Sequence, residues 1–190
     1  MLIDKREGRS RLVEGVRLKQ VDISHDIRFL YDIMNAEDQY LYSTKLKFYA
    51  IEQFEKWFIN RMYDDFHDFF IVYETGTSKA IGYVHNYDFS LVDGHCKLVV
   101  YILPEYRKTG LGGIAAVTFM KQLFLRYPLR KLYSTVYEYN SESLQSNLAA
   151  GFEVEGMLKD YRYFNGRYYG LYYLSISKDK FEKTIGKLVS

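Results

Sequence analysis

One stretch constrains this chain more than any other: Tyr101 to Ala115, reading Tyr-Ile-Leu-Pro-Glu-Tyr-Arg-Lys-Thr-Gly-Leu-Gly-Gly-Ile-Ala. An apolar strand ends at Pro104, a basic glycine-rich turn follows, and an apolar-periodic helix begins near Gly110. The first turn of a helix carries N–H groups without intrahelical acceptors and a partial positive charge, and glycines let an anion come close to the backbone. The stretch therefore predicts an anion site between a strand and a helix, with a pyrophosphate as the expected guest.

What surrounds it sets the fold class. Leu12 to Asp22 alternates as a half-buried strand, Ser24 reads as a helix N-cap, and Ile27, Leu30, Tyr31 and Met34 give a short amphipathic helix ending in a loop through Tyr40 and Ser43. A second helix is expected from Ile51 to Tyr63, with Phe54, Trp57, Phe58 and Met62 as its apolar stripe. Strands Asp68–Glu74, Ala80–Phe89 and His95–Leu103, joined by the turns Thr75–Lys79 and Val92–Gly94, imply an antiparallel meander that ends at the glycine turn. The helix after the turn should run to Arg126 on Ile114, Val117, Met120 and Phe124. Leu129–Tyr139 then reads as a strand, Ser141–Ala150 as a helix closed by Gly151, and Phe152–Leu158 as a strand, which suggests a parallel crossover. Asn165-Gly166 marks a hairpin between aromatic runs within Tyr161–Ile176, and Lys178–Leu188 reads as a closing helix. The fold class expected is α/β, a mixed sheet of six to seven strands flanked by about four helices, with an antiparallel N-terminal half.

Bulk properties narrow the functions. With 190 residues and 48% hydrophobic content the chain can build one domain spanning residues 1–190. A formal charge of +2 with no basic arm argues against nucleic acid. Met1 to Val16 contains no apolar run, so neither a signal peptide nor a membrane partner is expected. The single cysteine, Cys96, excludes an internal disulfide and a CxxC metal site and fits a cytoplasmic location. The 20 Tyr and 13 Phe residues need no more than core packing and strand propensity to explain them.

Two familiar phosphate motifs must be weighed for the turn. Gly110 to Ala115 satisfies GxGxxA, but that dinucleotide fingerprint belongs to a parallel strand-helix-strand unit with an acid about 20 residues on. Here apparently antiparallel strands come first, and Arg130 and Lys131 stand where the acid should be. A Walker loop fails because Lys108-Thr109 precedes the glycines instead of following them.

The residues do resemble one family. Arg107-Lys-Thr-Gly-Leu-Gly112 matches the R/Q-x-x-G-x-G/A signature of the GNAT superfamily of acyl-CoA N-acyltransferases, preceded by the typical Pro104-Glu-Tyr. A later match, Val136-Tyr-Glu-Tyr-Asn140, then Ser143, then Ala150-Gly-Phe, looks like the family's asparagine-ended strand and its Gly-Phe pair. The chain is most similar to the branch that includes ribosomal-protein N-terminal acetyltransferases, and the resemblance covers residues 12–180.

That resemblance implies transfer of acetyl from acetyl-CoA straight to an amine, with no covalent enzyme intermediate. The N–H groups of Thr109, Gly110, Leu111, Gly112 and Gly113 would hold the pyrophosphate, with Arg107 and Lys108 adding charge. Tyr101, Ile102 and Leu103 would offer backbone groups to the pantetheine arm in the cleft where the family's fourth and fifth strands splay apart, and one N–H there would stabilise the oxyanion. Asn140 would bind the same arm with Ser143 nearby; an N-cap role for Asn140 is the alternative, and the two are compatible. Many relatives place a general-acid tyrosine seven residues after the asparagine, where this chain has Asn147, a group able to hydrogen-bond sulfur or cofactor but not to act as an acid.

For the base, Glu138 stands two residues before Asn140 on the same strand face by periodicity, with a solvated strand carboxylate as the alternative reading. His85 and Asp88 are the next candidates, and Tyr101 is the candidate acid. Lys97 stands where relatives often carry an acid. The acceptor expected is a peptide or protein N-terminus or a small-molecule amine. A polyamine or aminoglycoside would call on Glu37-Asp38 and Asp64-Asp65, and a non-catalytic CoA-binding module is the competing class. A homodimer is left open, and the aromatic hairpin Tyr161–Tyr173 is either an acceptor wall or core packing.

Overall fold

Period-two alternation across the chain builds seven strands into one mixed sheet in the computed structural model, which describes residues 15–41, 48–62 and 66–184. The strands are β1 (Val16–Gln20), β2 (Phe69–Glu74), β3 (Ala80–Ser90), β4 (His95–Ile102), β5 (Lys131–Tyr137), β6 (Glu153–Phe164) and β7 (Arg167–Ser177), side by side as β1-β2-β3-β4-β5-β7-β6. β1 to β4 are antiparallel neighbours in sequence order; short turns join β2 to β3 and β3 to β4, while α1 and α2 lie between β1 and β2. Five α-helices accompany them among the described residues: α1 (Ile23–Met34), α2 (Ile51–Met62), α3 (Leu111–Arg126), α4 (Ser141–Ala149) and α5 (Lys178–Thr184). The mixed α/β sheet with its antiparallel N-terminal half is as expected.

The alternation also sorts the core into two. Phe69, Ile71, Tyr83 and Tyr101 point to one side, where Leu30 and Ile33 of α1 and Phe54 and Phe58 of α2 bury them. Val72, Ile81, Val84, Cys96, Leu98 and Ile102 point to the other, against Ala115, Phe119, Met120 and Leu123 of α3. Aromatic rings do much of this packing: Phe58 meets Phe69 edge-on at 5.1 Å, and Trp57 lies half-buried against Phe48 and Phe54.

Several local expectations change. Asp22, not Ser24, caps α1, because its carboxylate is placed to accept from Ser24 N at 3.1 Å. The helix ends at Met34, and Glu37–Leu41 forms a separate 3-10 helix. The buried face of α3 is rotated from the expected stripe: Ala115, Phe119 and Leu123 join Met120 and Phe124, while Ile114 and Val117 are half-buried. Leu12 to Glu14, Ser43, Tyr63, Asp64, Asp65 and the end of the closing helix lie outside the described residues.

The larger revision concerns strand order, for β6 does run parallel to β5 but is not its neighbour. β7 inserts between β5 and β6 and pairs antiparallel with both, so β5-α4-β6 is a crossover between strands that are not neighbours. β6 and β7 form one long hairpin turning at Asn165 (φ 46°) and Gly166 (φ 86°), both in the left-handed region that this two-residue turn requires. The adjacent parallel pair is β4–β5, joined by α3. The glycine turn thus does sit in a parallel strand-helix-strand unit, and exclusion of a dinucleotide rests on Arg130 and Lys131 rather than on strand direction. The β4–β5 pairing covers only His95 to Lys97 opposite Lys131 to Tyr133; beyond it the two strands part.

Candidate active site

The parting of β4 from β5 makes a cleft, and each lip ends at a helix N-terminus. On the β4 lip, Pro104–Tyr106 forms a 3-10 turn, Lys108 takes a left-handed φ of 62°, and Gly110, at φ 88°, caps α3. Thr109 Oγ1 donates to Tyr106 O at 2.7 Å and accepts from Leu111 N at 3.3 Å, which takes up one first-turn N–H. Helix geometry leaves the N–H groups of Gly112 and Gly113 without intrahelical acceptors. A Cβ on Gly112 would stand 3.3 Å from Ile102 Cγ1, so this glycine lets α3 close on β4. A Cβ on Gly113 would meet nothing within 4 Å. The fold does not ask for glycine there, although glycine costs roughly 1 kcal/mol in a helix. The space that a Cβ would fill is the space a phosphate needs to reach the N–H groups, so the turn fits a pyrophosphate.

On the β5 lip, Asn140 is buried and caps α4, its Oδ1 accepting from Ser143 N at 3.2 Å and its Nδ2 donating to Leu41 O at 3.3 Å. Asn147 Nδ2 donates to Ser143 O at 2.8 Å, which lines the inner edge of α4 with amide and hydroxyl groups. Lys108 Nζ lies 2.8 Å from Glu142 Oε1 and so links the two helix N-termini; its ammonium holds the Glu142 carboxyl below the usual range. Arg107 pairs with Asp38 and donates through Nε to Ile102 O at 3.0 Å. Tyr101, fully buried and stacked on Tyr83 at 5.2 Å, donates its hydroxyl to Asp38 at 3.1 Å. The 3-10 helix Glu37–Leu41 is thereby held to both lips, by Asp38 on one side and Leu41 on the other. Leu103 N is committed to Ile81 O at 2.9 Å.

The candidates for proton handling lie apart from one another. β5 stops at Tyr137, so Glu138 and Asn140 do not share a strand face: Glu138 is exposed in the following turn and accepts from Gly170 N at 2.8 Å. It borders a pocket of about 520 Å³ with Tyr139, Arg167, Tyr168 and Tyr169. His85 lies within β3, stacked on Phe69 at 5.0 Å, with Nδ1 3.1 Å from His67 Nε2; burial, with His67 adding to it, pushes its pKa down to about 3. Asp88, at φ 52° in a β-bulge, bonds Lys97 Nζ at 2.7 Å, and that hydrogen bond holds its carboxyl below the usual range. Burial works against the charge on Lys97, yet Asp88 and the hydroxyls of Tyr173 and Tyr87 keep its pKa above the ordinary lysine value.

Sequence reasoning missed the Lys108–Glu142 link, the Asn140–Leu41 bond and the role of Asp38 as partner of Arg107 and Tyr101. Their sequence separations run from 34 to 99 residues, and no local pattern announces them.

A splayed β4–β5 pair with a glycine-rich helix N-terminus at its mouth defines an acyl-CoA transferase of the GNAT type. The sequence model of the acetyltransferase (GNAT) domain matches residues 18–171, and the chain belongs to that family. It is an acetyl-CoA-dependent N-acetyltransferase. Among curated relatives, the spermidine N(1)-acetyltransferase of Vibrio cholerae is 22% identical over 156 residues, which is 82% of this chain and 90% of that one. A prophage-derived uncharacterized N-acetyltransferase of Bacillus subtilis, YokL, is 24% identical over 109 residues; the match spans 57% of this chain and only 62% of YokL. The crystal structure of the Vibrio cholerae spermidine N-acetyltransferase with CoA and spermine superposes with a TM-score of 0.81 at 19% identity, covering 89% of this chain and 99% of that one. No helix among the described residues is long and apolar enough to cross a membrane.

Proposed function

We propose that this enzyme acetylates a primary amine by direct transfer within a ternary complex, the acceptor being a peptide N-terminus or a small-molecule amine. The parting of β4 and β5 carries the reading, because it leaves the edge of β4 open between two helix N-termini. Acetyl-CoA supplies the activated acetyl group as a thioester. In this proposal Gly112 and Gly113 N–H groups bind its pyrophosphate, Asn140 and Asn147 address the amide-bearing arm, and the open backbone edge of β4 alongside Val99 to Ile102 positions that arm. Arg107 and Lys108 add positive charge, which Asp38 and Glu142 temper. The C–N bond forms as the C–S bond breaks, and one amine proton must leave. Glu138, exposed in the pocket and held by Gly170, is our candidate to accept it. Tyr101 commits its proton to Asp38, an arrangement that suits positioning of the Glu37–Leu41 segment. His85, neutral at physiological pH, and Asp88, paired with Lys97, are the weaker candidates.

Direct transfer is supported by the chain's one cysteine. Cys96 is fully buried, and burial pushes its thiol up to about 12, far from a usable nucleophile. Initial rates measured against both substrates should give intersecting lines; parallel lines, or acetyl retained on the protein, would refute direct transfer.

A spermidine-type acceptor has one argument in its favour, the likeness to the Vibrio cholerae enzymes. We also propose that two copies pair along β6, an edge strand that exposes Val154, Met157, Leu158 and Tyr161.

A further inference from the structure

On the transferase reading above, the acceptor must approach the cleft from one face of the sheet. α3 packs against one face of the sheet, and among the described residues α1 and α2 cover β2 to β4 on the other. On that second face, β5 and β7 present Tyr133, Thr135, Tyr137 and Tyr173 half-buried. The register places Lys97 beside Tyr133 at the point where β4 and β5 part, and Tyr173 beside Thr135. Lys97 Nζ lies 5.3 Å from the Tyr173 ring and 5.9 Å from that of Tyr87. Further toward the mouth, Arg162 reaches from β6 across β7, donating Nη1 to Tyr137 OH at 3.1 Å with its guanidinium 4.9 Å from the Tyr137 ring centroid. Its Nε is buried and has no hydrogen-bond partner. Arg167, 4.4 Å from the Tyr169 ring centroid, borders the Glu138 pocket.

Of the described carboxylates nearest this face, two are held in ion pairs and the third is the proposed base. Asp88 holds Lys97, Asp38 holds Arg107 and Tyr101, and Glu138 accepts from Gly170. Lys97 is matched by Asp88, so the cations that remain to meet a substrate are Arg162 and Arg167, each on an aromatic ring and the first with an unused buried donor. A guanidinium so placed matches the planar oxygens of a carboxylate or phosphate, and it repels an ammonium. We infer that the acceptor is a primary amine that also carries an anionic group, a carboxylate or a phosphate, and that Arg162 and Arg167 select it over polycations.

The test compares amines matched in length: γ-aminobutyrate, O-phosphoethanolamine, n-butylamine and putrescine, with free-N-terminus tetrapeptides bearing two glutamates or two lysines as the larger pair. Thiol release from acetyl-CoA by the full-length protein should favour the anionic member of a pair by about tenfold in kcat/KM. A carboxylate is told from a phosphate by which of the first two amines leads. Arg162→Gln and Arg167→Gln should each lower the anionic-to-cationic ratio several-fold while acetyl-CoA still raises the melting temperature; a merely structural role would slow every amine alike and leave the ratio unchanged. Preference for putrescine or the lysine peptide, equal rates across each pair, or a ratio untouched by both substitutions overturns the inference and leaves the transferase standing. Saturable CoA binding with no amine turned over defeats both.

Discussion

Gly113→Ala should move the ligand-free and ligand-bound proteins in opposite directions. The added methyl meets nothing within 4 Å, so the substitution gains helix propensity without a clash. That gain is about 0.5–1 kcal/mol. For a chain of 190 residues it corresponds to a rise in Tm of roughly 1–4 °C. A helical Cβ leans toward the N-terminus, here into the space above the first turn. If a phosphate binds there, loss of one charge-assisted hydrogen bond weakens it by about 1.5–3 kcal/mol, or at least tenfold. Acetyl-CoA at a hundred times its Kd stabilises the parent by about 2.7 kcal/mol, and a tenfold weakening removes roughly half of that. Differential scanning with and without acetyl-CoA reads both effects in one experiment. A higher ligand-free Tm with the full acetyl-CoA shift retained would show that the phosphates bind elsewhere. Gly112→Ala is the contrast, since its methyl must push Ile102 aside and should cost ligand-free stability instead.

Other outcomes follow from the same geometry. Asn140→Asp keeps the cap of α4 but sets a carboxylate oxygen against Leu41 O, so it should raise the KM for acetyl-CoA and lower Tm, and Asn140→Ala should lose about 1 kcal/mol of stability with the cap. The unfolded chain takes a proton on His85 below about pH 6.5, but the folded protein refuses it until about pH 3. Stability should therefore be flat in this respect above pH 7 and fall as pH drops through that window, by up to about 1.4 kcal/mol per unit, and His85→Gln should flatten the slope in urea titrations. Leu158→Lys on the β6 edge should yield a monomer by sedimentation if two copies pair there, while an unchanged mass excludes that edge.

How much of this was legible in the sequence depends on the range of the signal. The meander, the Asn165-Gly166 hairpin and the glycine turn are local, set by turn chemistry and alternation within a few residues, and all appear where their residues place them. The insertion of β7 between β5 and β6 was not legible, because strand order is decided by burial of whole faces; the aromatic run 167–177 carries no mark of its neighbour. Asn140 was found because an N-cap has a local signature, yet its second bond, to Leu41, joins residues 99 apart. Glu138 illustrates the reverse case: period two was extended past Tyr137, and the strand ended first. Arg162 gave no signal at all, since only the fold lays β6 close enough for it to reach Tyr137.

The most direct test of the central claim follows CoA thiol and acetylated amine together, in one reaction, across the amine panel. Direct transfer predicts one acetylated amine for each thiol released, at a rate that rises with the amine and saturates. Binding of acetyl-CoA at the glycine turn, with thiol release never exceeding the rate without amine, would contradict it.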